Sequence, residues 1–212
     1  MCCGCPVRSA GALAIEPPER IALPDAELWW WPQLLPPSRA SELFDRLRAG
    51  LPWQQRTLRM FGRAIPEPRL VSWHGDPEAH YRYSGRTHVP QPWTAELTEL
   101  RETVEAANGH AVDSVLANLY RDGNDHMGWH ADDEPELGSE PVIASVSLGA
   151  ARQFQFRPRP RGPIALRLDL PPGSMLVMAG ATQRHYHHRI PRTSQRVGPR
   201  INLTFRRVAA TR

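Results

Sequence analysis

Apolar positions recur at helical spacing in the first half of the chain, while the second half is built of short apolar runs broken by glycine and proline. In the first half, Leu43, Phe44 and Leu47 form a stripe one turn apart. Pro36-Pro37 stops the preceding chain, Ser38 can cap an N-terminus, Glu42 supports the first turn and Gly50 ends the run, so a helix is predicted over 38–49. A second helix is predicted over 94–107, where Leu97, Leu100 and Val104 share a side and Asn108-Gly109 supplies the stop. Residues 53–58 and 68–73 read as short strands.

From Val115 onward, strands are predicted over 142–148, 153–157, 165–170, 175–178, 185–190 and 200–208, with a basic, proline-broken hairpin end from Arg157 to Gly162. Many short strands with such punctuation point to a sandwich or barrel of jelly-roll type, mainly β with flanking helices, an α+β class. Residues 1–27 are proline-rich and aperiodic and are expected to form a loosely ordered N-terminal arm. Residues 28–212 suffice for one domain with a real core, and nothing in that length calls for oligomerisation, so a monomer is expected. Within it, 28–112 would carry the helices and 113–208 the β core.

Composition narrows the setting. No run of about 18 apolar residues occurs, and the mean hydropathy is −0.48, which argues against a membrane-spanning helix. The opening Met-Cys-Cys-Gly-Cys-Pro-Val-Arg has no basic segment ahead of an apolar core and does not read as a secretory signal. Cys2, Cys3 and Cys5 are the three cysteines. No fourth exists to close a tetrahedral metal set, and the body of the chain has none to cross-link. A reducing compartment follows, the cytoplasm, with association to the nucleoid if the source is bacterial. All 26 basic residues are arginine and the net charge is +4, which permits a polyanionic partner without demanding one.

The chemistry is concentrated in three places. His130 and Asp132 stand at i and i+2, so an extended segment sends both side chains to one side, as chelation requires. The cluster His185-Tyr-His187-His188 offers three further imidazoles. Two imidazoles and a carboxylate are the donor set of an iron(II) site with positions left open for oxygen chemistry, although the same donors also suit zinc or manganese. From Arg200 to Arg206 the run alternates strictly: Arg200, Asn202, Thr204 and Arg206 face one way, Ile201, Leu203 and Phe205 the other. Two guanidinium forks along one face can grip a small dianion at both ends, and 2-oxoglutarate is the natural candidate.

These segments resemble the AlkB family of Fe(II)- and 2-oxoglutarate-dependent dioxygenases, in particular its duplex-DNA-repair members. The matching stretches run in order: Asn118-Leu-Tyr120-Arg-Asp-Gly, His126-Met-Gly-Trp-His130-Ala-Asp132-Asp133-Glu134, Ile143 to Gly149, Gly173-Ser-Met-Leu-Val-Met, His188-Arg-Ile-Pro191 and Arg200 to Arg206. The resemblance implies a double-stranded β-helix core and a nucleotide-recognition lid within 28–112. It selects His188 as the third iron ligand beside His130 and Asp132. It sets Arg200 on the far carboxylate of 2-oxoglutarate and Arg206 near the C1 carboxylate, with Asn118, Tyr120, Asn202 and Thr204 completing the cosubstrate pocket.

The implied activity is DNA repair by oxidative demethylation of 1-methyladenine and 3-methylcytosine. It consumes O2 and 2-oxoglutarate and releases formaldehyde, succinate and CO2. A methylated base inside a duplex must be flipped out to reach such a site, unless the strand is already single. Tyr81-Arg-Tyr83-Ser84 resembles the lid whose aromatic residue stacks on that base, and Asp133-Glu134 the acidic pair at its edge. Met60-Phe61-Gly62-Arg63 resembles a hairpin that wedges an apolar side chain, Phe61, into the base stack. Arg56, Arg59, Arg63 and Arg69 around it could reach phosphates. Methylated RNA or another methylated partner is the alternative substrate. A silent nucleic-acid binder would require a broken ligand set or a missing arginine, and the sequence has neither.

Overall fold

The computed structural model describes residues 15–60, 63–79, 81–83 and 86–208, with the backbone alone at 58–60, 63, 81–83 and 86–88. In chain order the elements are β1 (Glu19–Ile21), β2 (Glu27–Trp31), α1 (Pro37–Gly50), β3 (Thr57–Met60), β4 (Arg63–Pro66), β5 (Leu70–Gly75), β6 (Tyr81–Tyr83), β7 (Arg86–His88) and α2 (Ala95–Asn108). The second half holds β8 (Ser114–Tyr120), β9 (Met127–His130), β10 (Ile143–Gly149), β11 (Arg152–Pro158), β12 (Leu166–Leu170), β13 (Met175–Ala179), α3 (Thr182–His185), β14 (Tyr186–Ile190) and β15 (Arg200–Arg206).

A seven-stranded sheet in the order β1-β2-β13-β10-β15-β8-β5 faces a four-stranded sheet in the order β12-β11-β14-β9. The pairings are antiparallel throughout. This is the rolled double sheet expected from the strand texture.

Two apolar clusters explain the layering. On the outer side of the large sheet, Leu43 and Leu47 of α1 and Leu97, Leu100 and Val104 of α2 pack with Ile201, Leu203 and Phe205 of β15. Each such side chain taken fully out of water contributes about 1.5–3 kcal/mol. Arg39 of α1 also pairs with Glu99 of α2, holding the two helices together on that face. Between the sheets lies a second cluster around Tyr120, Phe154, Phe156, Met178, Tyr186 and Ile190. The alternation of β15 therefore places its apolar face against the helices and its polar face inside the roll.

Several expectations shift. Ordered structure begins before residue 28: β1 pairs with β2, and β2 with β13, so part of the expected loose arm is an edge of the large sheet. The β core likewise takes β2 and β5 from upstream of 113. Helix α1 starts one residue early, with Pro37 in its first turn and no side-chain cap from Ser38; proline fits there because its missing N–H would have had no helical acceptor. Gly50 lies inside that helix, and Leu51 follows as its cap. In place of a strand over 53–58, Gln54 makes a lone bridge to Val71 and pairing resumes only at β3. Helix α2 is capped as its sequence suggests, the Thr94 side chain accepting from the Leu97 N–H and Gly109 closing the end at φ 74°.

Candidate active site

The two imidazoles come together by strand pairing. β9 and β14 are neighbours in the small sheet, and His130 faces His188 directly across the pair. Their ring centroids lie 4.2 Å apart at 66°. Asp132, two residues past His130, turns back so that one donor atom from each of His130, Asp132 and His188 lies within 4.8 Å of the others. Of the cluster 185–188, His188 alone joins this group; His185 falls in α3 rather than in the strand, and His187 points the other way along β14.

Each donor is prepared by its neighbours. The carbonyl of Gly128 sits 2.9 Å from His130 Nδ1. A carbonyl only accepts, so Nδ1 carries a hydrogen and Nε2 is the nitrogen left to face a metal. Burial, followed by the proximity of His130, pushes His188 down to about 3, so its imidazole is neutral at ordinary pH. Phe154 stacks on that ring at 5.1 Å. Burial by itself would lift the Asp132 carboxyl, but the Arg206 guanidinium, helped by the two histidines, holds it below its usual range. With His188 neutral, Arg206 is the main cause at neutral pH, and its Nη2 donates to Asp132 Oδ1 at 2.8 Å. The Asp132 N–H is taken by the buried Gln183 side chain at 3.0 Å. Two imidazoles and one ionised carboxylate suit a divalent metal.

The polar face of β15 lies beside this cluster. Its register against β8 sets Asn202 opposite Asn118 and Arg200 opposite Tyr120. Asn118, Tyr120, Ser145, Asn202, Thr204 and Arg206 line a small cavity of about 40 Å³ with the three metal-donor residues. Asn202 donates to Ser145 Oγ at 2.7 Å, and Thr204 donates to Asn202 Oδ1 at 3.2 Å.

Arg200 lies deeper, at 0% exposure. Its Nη2 donates to Ser147 Oγ at 2.9 Å, while Nε and Nη1 are buried and have no acceptor among the described residues. Burial lowers this guanidinium to about 10, which leaves it a cation at neutral pH. A buried cation with two N–H groups lacking acceptors is costly, and an anion placed there would satisfy both needs.

A much larger cleft, about 710 Å³, adjoins His130 and Asp132. Leu116, Met127, His130, Asp132 and Arg206 line both spaces. Trp73 and Trp129 give the cleft aromatic wall, Glu67 and Glu134 lie along it, and Arg56, His126 and Arg192 add basic groups.

Arg69, expected at a phosphate, is instead buried. It pairs with Glu67 Oε2 at 2.8 Å and donates to Asn118 Oδ1 at 2.9 Å. Asp133 does not turn into the cleft with Glu134 but pairs with Arg159 at 2.6 Å. Tyr81 and Tyr83 lie on the β6–β7 hairpin, opposite His88 and Arg86. Phe61 and Ser84 lie outside the described residues. Ser145, Ser147 and Gln183 are additions to the site; the two serines alternate within an apolar strand in step with Asn202 and Thr204.

The family model for the 2OG-Fe(II) oxygenase superfamily matches residues 27–206. The alkB homolog 3 dioxygenase of Bos taurus is 41% identical over 178 residues, covering 80% of this chain and 62% of that protein. The DNA oxidative demethylase ALKBH2 of Homo sapiens is 37% identical over 185 residues, covering 82% and 71%. This chain belongs to the AlkB family of 2OG-Fe(II) oxygenases. The solved structure of OsALKBH1 shares the fold, with a TM-score of 0.64 at 18% identity, covering 89% of this chain and all of that one. The chain spans a little under two thirds of the length of its alkB homolog 3 relatives. AlkB-family membership makes iron(II) the metal and 2-oxoglutarate the cosubstrate that the two halves of the site must accept. Three donors and a sealed guanidinium fit that pair. Among the described residues, no helix is long and apolar enough to cross a membrane.

Proposed function

We propose that this AlkB-family protein is an oxidative demethylase of N-alkylated nucleic-acid bases, with 1-methyladenine and 3-methylcytosine in DNA as its substrates. The observation that carries the reading is the placement of His130 and Asp132 on the wall shared by two spaces. The small one is lined by Asn118, Tyr120, Ser145, Asn202, Thr204 and Arg206, and the large one has aromatic and carboxylate side chains along its walls. A cosubstrate and a substrate can then approach the same metal from different sides.

His130 Nε2, His188 Nε2 and an Asp132 oxygen would hold the iron. Arg200 would take the far carboxylate of 2-oxoglutarate, whose charge compensates the buried guanidinium and whose oxygens satisfy its orphaned N–H groups. Asn118, Tyr120, Asn202 and Thr204 would line its path. At about 40 Å³ the small cavity is tighter than this dianion, so Met127 and Met178, the pliant members of its lining, would yield on binding. Arg206 keeps Asp132 ionised and lies where the near carboxylate would sit. When bound, iron with 2-oxoglutarate and O2 supplies the oxidation of a methyl C–H to an alcohol, the oxoacid leaving as succinate and CO2.

The hydroxymethyl group on the ring nitrogen then collapses to formaldehyde and the restored base. Trp73 and Glu134 would flank a flipped, positively charged base, with Arg56 and Arg192 near its phosphates. Tyr81, Tyr83, Ser84 and Phe61 keep the lid and wedge roles that the resemblance implies. The protein would act as a monomer in the compartment that holds the DNA.

The test is release of formaldehyde and succinate from matched single- and double-stranded oligonucleotides bearing each lesion, in DNA and in RNA. Turnover on DNA that vanishes with His130→Ala is expected, as is a Phe61→Ala defect concentrated on duplexes. Turnover on RNA alone would transfer the activity to the alternative substrate. No product from any methylated oligomer would overturn the reading.

A further inference from the structure

Arg152 opens β11 and is buried, with 4% exposure. What it grips is backbone. Its Nη1 donates to the Asp122 carbonyl at 3.0 Å, and its Nη2 to the carbonyls of Asp125 at 3.0 Å and Pro191 at 2.7 Å. The Asp125 carboxylate is itself taken by Arg121 at 2.8 Å. Asp122 and Asp125 belong to the loop that leads into β9 at Met127, and Pro191 directly follows the end of β14 at Ile190. One planar guanidinium therefore joins the loops attached to the two strands that carry His130 and His188. The Thr193 N–H donates to the Gly123 carbonyl at 3.0 Å and ties the same loops a second time.

The pairing between those strands is irregular. His188 faces His130 and Ile190 faces Met127, so the step from Ile190 to His188 is matched by the longer step from Met127 to His130. Such a bulge re-aims side chains, and a slip of one residue would turn His130 to the outer face of the sheet. The bulge also supplies the Gly128 carbonyl that fixes the His130 tautomer. The strands share few paired positions, so their register needs support from outside the ladder.

We propose that Arg152 is a positioning residue for the metal donors, holding the β9–β14 bulge in register by clasping the loops on either side. A lysine ammonium lacks the flat fork that reaches three carbonyls at once, so the conservative change does not replace it. The proposal rests on His130, Asp132 and His188 being the metal ligands.

The experiment titrates metal-free protein with Co(II), followed by its visible absorption, for wild type, Arg152→Lys, Arg152→Met and Gly123→Ala. The last opens the clasp without touching the guanidinium, because a Cβ at Gly123 would meet the Thr193 carbonyl oxygen at 2.5 Å. Circular dichroism at the titration temperature selects variants that are fully folded. Expected is a loss of metal affinity on the order of 10–100-fold, as for other groups that orient metal ligands. Folded Arg152 variants that bind Co(II) as wild type does would overturn the role of Arg152; if they do not fold, a folded Gly123→Ala protein with wild-type Co(II) binding would overturn the joining of the two loops on which that role depends. Wild-type protein that takes up no Co(II) would instead defeat the ligand assignment itself.

Discussion

His130 and His188 face each other across the β9–β14 pair, their rings 4.2 Å apart, and the Gly128 carbonyl at 2.9 Å from His130 Nδ1 fixes which nitrogen of that ring is left to bind. Their convergence is a property of the strand register. Asp132 completes the set from the turn beyond β9 and brings the negative charge that imidazole donors lack.

Asp132→Asn removes that charge while keeping size and shape. Metal affinity should fall by more than the roughly 10–100-fold typical of a lost outer-shell partner, since a ligand itself is changed. Stability of the metal-free protein should change little, because Arg206 keeps 15% side-chain exposure and can hydrate once its carboxylate partner is gone. Calorimetric titration with Mn(II), paired with a thermal melt, checks both halves. Retained affinity would mean that Asp132 is no ligand.

Arg200→Met should separate stability from cosubstrate binding. The guanidinium is wholly buried, and two of its nitrogens have no acceptor among the described residues, so an apolar side chain of similar length relieves that burden. Replacing uncompensated buried charge with packed apolar atoms is neutral or stabilising by about 1–4 kcal/mol. Binding of 2-oxoglutarate should weaken by about 2–5 kcal/mol, the usual cost of truncating one side of a buried charged pair. Melts with and without 2-oxoglutarate should show an equal or higher Tm for the free variant and no shift on adding the diacid. A destabilised variant that keeps its shift would place the anion elsewhere.

Much of this site is legible in the sequence because β15 is a central strand whose two faces have different neighbours. Its strict alternation from Arg200 to Arg206 is what a strand needs when helices cover one side and a polar pocket the other. Asn118 and Tyr120 repeat the pattern on the adjacent strand, and the register sets them opposite Asn202 and Arg200.

β2 carries no such signal. Trp29, Trp30 and Trp31 follow one another without alternation because both faces of that strand are covered, Trp31 packing toward the helices and Leu28 between the sheets. Ser145 and Ser147 are small enough to read as filler in an apolar strand, although their spacing in step with β15 was a usable cue. The burial of Arg69 and the turning of Asp133 to Arg159 are tertiary outcomes: nothing in local composition separates a solvated arginine from one whose partner lies across the fold.

His74 gives the fold a pH dependence away from the metal donors. It is 2% exposed, its Nδ1 donating to the Pro92 carbonyl at 2.7 Å and its Nε2 lying 2.9 Å from Ser72 Oγ. Burial lowers its pKa from the ordinary 6.5, against a smaller opposing effect of the Pro92 bond. Below 6.5 the unfolded chain takes up a proton that the folded one refuses. The stability His74 contributes is therefore complete above 6.5 and is lost as the pH falls through the window below it. The slope approaches at most about 1.4 kcal/mol per pH unit for one proton. Urea unfolding of metal-free protein at pH 7.5 and pH 5 should show a smaller loss for His74→Gln than for wild type. Equal losses would show that this ring is protonated as readily in the fold as out of it.

Glu67 and Arg69 should behave as a coupled buried pair in the wall of the large cleft. Their side chains are 8% and 10% exposed, and Arg69 also reaches Asn118 of the small cavity, so the ion pair links the two spaces. Removing Arg69 alone strands a largely buried carboxylate, which costs about 3–5 kcal/mol. Removing Glu67 alone strands the guanidinium, which keeps one acceptor in Asn118 and should cost less. With both replaced by leucine the desolvation penalty disappears along with the attraction, so the double variant should be more stable than Arg69→Leu. A double-mutant cycle by urea unfolding measures this. Additive single losses would mean that water reaches the pair after all, and that the wall of the cleft is wetter than its packing indicates.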